Sequence, residues 1–107
     1  MTFVPVSREK FESILRQGIE ALTPEVLRTY ERYAVPPHKQ QAVRGVDYRH
    51  EEVFVVARNG NRVLYYDDVE ENFGVGVAAG DGVLGDWENY GPLARAVLVL
   101  SVEAHIE

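Results

Sequence analysis

The chain contains no cysteine. That excludes a disulfide framework, a thiolate nucleophile and any cysteine-ligated zinc or iron–sulfur site, and it fits a reducing, cytoplasmic setting. Long apolar runs are also missing. The longest, such as residues 96–100, are far shorter than the roughly 20 residues of a membrane-spanning helix, so a soluble protein with no membrane partner is expected. Met1-Thr2-Phe3-Val4-Pro5-Val6-Ser7 turns charged at once, with no basic segment leading into an apolar stretch, so no signal peptide is expected. There is no Gly-Lys-Ser/Thr for a phosphate loop and no His-x-x-x-His pair. His50 beside Asp47 or Glu51 is a conceivable acid–base pair, but isolated surface histidines are far commoner. No serine–histidine–aspartate arrangement follows from three scattered histidines. The chain is therefore read as non-enzymatic, with no cofactor, metal or catalytic residue assigned.

Basic residues are scarce in one half only. Residues 1–50 hold eight Lys/Arg against six Asp/Glu, a net +2, whereas residues 51–107 hold three against eleven, a net −8. This balance argues against nucleic-acid binding, where a basic footprint supplies most of the affinity. It suits a basic protein partner, because opposite fields steer encounter. Acids also keep small proteins soluble, which is the plainer reading.

What is present describes one globular domain over residues 1–107. The apolar fraction of 46% and charged fraction of 26% match ordinary folded proteins, and the length supports a core without staples. Ser7 reads as a helix N-cap, with Val6 and Phe11 placed as a staple. Phe11, Ile14, Leu15, Ile19 and Leu22 recur at helical spacing, with a break possible at Gly18. Thr23-Pro24-Glu25 starts a second helix with Val26, Leu27, Tyr30, Tyr33 and Ala34 inward, which Pro36-Pro37 ends. Residues 38–52 are polar. They read as a loop, or as a strand over 42–48 interrupted at Gly45.

Val53–Arg58, Asn59-Gly60 and Asn61–Asp67 read as a hairpin with a type I′ turn. Its expected register pairs Arg58 with Asn61, Val56 with Val63 and Phe54 with Tyr65. Both faces are apolar, so the pair should be covered on each side. A third strand is expected over Phe73–Ala79, one face of which carries only Gly74, Gly76 and Ala78. Such a bare face admits a close neighbour, most often a helix. Its Gly-x-Gly pattern formally resembles a dinucleotide loop, but Gly80-Asp81-Gly82 leaves no room for the helix that motif requires. Gly85-Asp86 marks a turn. After Gly91-Pro92, Leu93, Ala96, Val97, Leu100 and Ala104 fit a helix face, with a strand over 96–106 as the competing reading. The expected class is α+β: two N-terminal helices, an antiparallel three- to four-stranded sheet and a C-terminal helix.

Two segments stand out as candidate partner-binding surface. Asp67, Asp68, Glu70 and Glu71 form a strand-end acidic cluster suited to arginines on a partner. The alternative is a small metal-binding or hydrolytic domain using the same carboxylates, since hard cations prefer oxygen ligands. A solvated turn that discourages edge aggregation is the plainest reading. Asp86, Trp87, Glu88 and Tyr90 place two aromatics, favoured interface anchors, in an acidic setting. A tryptophan closing the core beneath a loop is equally ordinary. An oligomer-forming domain is a third possibility.

The pattern from Val63 to Gly74, then Asp81-Gly82-Val83-Leu84, then Tyr90-Gly91-Pro92-Leu93, resembles small bacterial immunity-type domains. The resemblance covers roughly the second half of the chain. It implies a cytoplasmic antidote whose acidic surface occludes a toxin, often a basic nuclease.

Overall fold

Local chemistry sets the first two elements. In the computed structural model, which describes residues 6–44, 49–78 and 84–103, helix α1 spans Arg8–Glu20 and begins where Ser7 Oγ accepts the Lys10 amide at 3.1 Å. Helix α2, Pro24–Tyr33, begins where Thr23 Oγ1 accepts the Val26 amide at 3.3 Å, with Pro24 in its first turn. Both caps satisfy amides that a helix leaves without intrahelical partners. Gly18 does not break α1. A Cβ there would lie 3.2 Å from the Leu93 side chain, so the missing side chain admits a close neighbouring helix.

Five strands follow: β1 Ala34–Arg44, β2 Arg49–Asn59, β3 Arg62–Asp67, β4 Asn72–Ala78 and β5 Leu84–Gly91. They form an antiparallel meander that closes into a barrel through one parallel pair, Ala42 of β1 with Leu84 of β5. Helix α3, Leu93–Glu103, completes the chain as an α+β fold. The helical reading of the last segment thus holds through Glu103. Its continuation at Ala104 lies outside the described residues.

The sheet has five strands rather than the three or four expected. Most of the polar stretch 38–52 is strand, in β1 and β2, while Gly45 to Tyr48 lie outside the described residues. Ala34 opens β1 and is exposed rather than part of the α2 stripe. Pro36 and Pro37 sit inside β1, at the irregularity where the pairing jumps from Ala34–Ala57 to His38–Val55. An irregular ladder is where residues without an amide proton are tolerated. Gly85 and Asp86 are likewise strand residues of β5 rather than a turn, with Gly85 paired to Val77 of β4 and Asp86 at an irregularity of that ladder. Asp81-Gly82 lies outside the described residues.

The hairpin exists with a different register. Asn59 pairs with Arg62, Arg58 with Val63 and Ala57 with Leu64, so the loop is Gly60-Asn61. Only Gly60 has a positive φ, 66°, the arrangement of a type II′ turn rather than type I′. Asn59 is held in the ladder by its side chain, which donates to the Leu100 carbonyl at 3.1 Å. A bulge between Val55 and Ala57 shifts the pairing to Val55–Tyr65 and Phe54–Tyr66. It turns Phe54 and Ala57 to the same side as Leu64 and Tyr66.

The core therefore has two parts. Against the helices lie Phe54, Leu64, Tyr66, Phe73 and Val75, packed on Phe11, Leu15, Tyr30, Leu93, Val97 and Leu100. Phe11 stacks on Phe54 with ring centroids 4.0 Å apart. On the other face, inside the barrel, lie Ala42, Val53, Val55, Val63 and Tyr65. Residues 53–57 and 63–66 are all buried, so the hairpin is covered on both sides as its composition implied. The bare face of β4 is filled by a side chain, not a helix. Gly74 pairs with Tyr65, and a Cβ at Gly74 would lie 2.6 Å from the tyrosine ring and 2.5 Å from the Glu88 carbonyl oxygen.

Candidate functional site

Tyr65 begins the chain of contacts that shapes the acidic turn. Its hydroxyl donates to Asn89 Oδ1 at 2.7 Å, and Asn89 Nδ2 donates to Asp67 Oδ2 at 3.0 Å. The other oxygen of Asp67 accepts the amides of Val69 at 2.9 Å and Glu70 at 3.3 Å. An aspartate that bonds backbone two and three residues ahead builds an Asx turn. Asp67 is 1% exposed, so its carboxylate serves the turn from inside. Asp68 Oδ2 accepts the Val6 amide at 2.8 Å and pins the turn to the chain entering α1. Glu71 ends the turn at φ 57°, a left-handed conformation unusual for a residue with a side chain.

The two acidic segments singled out in the sequence meet at this corner, because Asn89 of β5 reaches Asp67 at the end of β3. Their members have different fates. Glu70 and Glu71 are exposed, and so is Glu88 on β5. Among the described residues, the ion pairs are Arg8–Glu12 and Lys39–Glu52, and none involves these three glutamates. Val69, between the acids, is 41% exposed and is one of two large apolar side chains so exposed among the described residues. Tyr90 is half-buried and packs against the helix-side core. Asp86 and Trp87 contribute backbone to β5, and their side chains lie outside the described residues.

Sequence reasoning missed Asn89 as the residue that joins the two segments, and Val69 as an exposed apolar group between acids. It also missed a cleft of about 610 Å³ beside the turn, between α1 and the β5–α3 junction. Lys10, Ile14, Tyr66, Glu71, Phe73 and Leu93 are among its walls. Burial raises the Tyr66 phenol above its ordinary value, with the charges of Glu71, Asp68 and Asp67 adding to the effect. At neutral pH it is an uncharged hydroxyl. None of the site's signals was local except the aspartate at a strand end, which marks an Asx turn.

Other candidates do not assemble. His38 is exposed, its Nδ1 3.0 Å from the Pro36 carbonyl oxygen. Asp47 lies outside the described residues, as do the side chains of His50 and Glu51. Among the described residues no three His, Asp or Glu side chains gather as metal ligands, and no helix is long and apolar enough to cross a membrane. No protein-family model matches the chain, and neither a curated protein nor a solved structure matches it.

Proposed function

We propose that this protein is a non-enzymatic binding module that holds a basic protein partner against the acidic corner after β3. Its resemblance to immunity-type domains makes a toxin neutralised in the cytoplasm the most concrete form of that partner. The observation that carries the reading is the outward set Val69, Glu70 and Glu71 on a turn fixed from within by Asp67 and Asn89. A surface already rigid loses little conformational freedom on binding. Exposed carboxylates around an apolar residue offer charge selection and a contact that excludes water.

Glu70, Glu71 and Glu88 are assigned to the partner, whereas Asp67 and Asp68 hold the turn. Tyr90 supports β5, and Asp86 and Trp87 keep their assignment from the sequence. The metal or hydrolytic alternative loses support from the same geometry. Both oxygens of Asp67 already accept hydrogen bonds, and one oxygen of Asp68 is taken by Val6.

Capture from a lysate of the source cells tests the reading. Immobilised wild-type protein is expected to retain a stoichiometric basic protein that the Glu70→Lys/Glu71→Lys variant loses, with the variant's circular dichroism unchanged. Equal retention by both would remove the acidic turn from the interface.

A further inference from the structure

We propose that the cleft beside the turn is a docking groove for a short extended segment of the partner, carrying an aliphatic side chain next to an arginine or lysine. This rests on the protein-binding reading and specifies what enters the site. The groove's volume of about 610 Å³ falls within the roughly 300–1,000 Å³ of ligand clefts, more than one side chain requires.

The groove's lining combines apolar, acidic and basic side chains. Half-buried Ile14 of α1 gives it an apolar wall, backed by the buried Phe73 of β4 and Leu93 of α3, suited to an aliphatic anchor. Glu71 lines the groove and belongs to the acidic turn, so Glu70 and Asp68 extend its negative field beyond the groove's edge. Its carboxylate has no ion-pair partner among the described residues. A guanidinium or ammonium is thereby favoured at the turn, where carboxylate pairing is charge-assisted. Lys10 is the basic residue among the groove's described walls, and it favours the segment's carbonyl oxygens over a second cation. Asn72, half-buried in the lining, offers an amide to the segment's backbone.

The test is an amide-resolved NMR titration of the whole chain with three blocked peptides. These are acetyl-Ala-Leu-Arg-Ala-amide, the same peptide with glutamate for arginine, and the same peptide with serine for leucine. The first should shift the amides of Gly18, Glu71, Asn72 and Ala94 in saturable fashion, and each altered peptide should bind about tenfold more weakly. Glu71→Gln should weaken the arginine peptide about tenfold and leave the glutamate peptide unaffected. Equal binding of all three peptides would overturn the proposal. So would shifts confined to residues 68–71 with the groove amides unmoved, although the acidic-surface reading would then stand. No shift at the groove or the turn with millimolar arginine peptide would count against both.

Discussion

At the scale of single residues, similar acids do opposite things. Asp67→Ala removes the acceptor of two turn amides and of the Asn89 side chain. Stranding buried donors should cost about 2–3 kcal/mol, read as a lower denaturant midpoint. Glu70→Ala, on an exposed side chain, should stay within roughly 0.5 kcal/mol. Gly74→Ala meets the Tyr65 ring and the Glu88 carbonyl. Overpacking of that kind should cost about 1–3 kcal/mol. Tyr30 and Tyr66 both have phenols raised above the ordinary value of 10.0, Tyr30 by burial and Tyr66 by burial and then by neighbouring acids. The fold thus favours the neutral phenol. Their contribution is complete below the unfolded value and is lost as pH rises through the raised folded value. Denaturant midpoints should therefore fall above about pH 10, and less steeply in Tyr66→Phe. The Asx-turn role of Asp67 is local and legible from its place at a strand end, whereas its bond to Asn89 was not, because that partner lies 22 positions away.

At the scale of elements, what is local was legible and what is paired at a distance was not. Both helix starts followed from one capping hydroxyl each, at Ser7 and Thr23. The β2–β3 register did not follow, because Asn59 answers to Leu100 in α3 and a bulge resets the pairing near Val56. Gly18 shows the same limit. Its helix-weakening tendency was readable, but its fit against Leu93 was not. Gly18→Ala should lower the melting temperature despite alanine's propensity advantage of about 1 kcal/mol, because Leu93 is 2% exposed and has little room to yield. On a Leu93→Ala background, which removes the 3.2 Å contact but keeps the Cβ at 3.3 Å, the same change should lower it less. Additive effects in this double-mutant cycle would mean that α1 and α3 do not meet as described.

At the scale of the molecule, the class of fold was legible from composition and periodicity, but the barrel was not. Its closing strands are polar, as in residues 38–42, or rich in turn-forming residues, as in Gly85-Asp86. Such strands take their identity from the neighbours that complete the ladder. The β3–β4–β5 ladder shapes the turn: Asn89 of β5 pairs with Gly74 of β4, which pairs with Tyr65 of β3, and from there Asn89 reaches Asp67 at the end of β3. Three helices on one side of the sheet leave the acidic turn at a corner next to a groove. The charge asymmetry of the sequence thereby becomes a located surface.

The most direct measurement is a salt-dependent titration of the captured partner against wild type and Glu70→Gln/Glu71→Gln. The account predicts at least about tenfold weaker binding for the neutralised variant, with a shallower loss of affinity as salt rises. Identical affinities with identical salt dependence would contradict it.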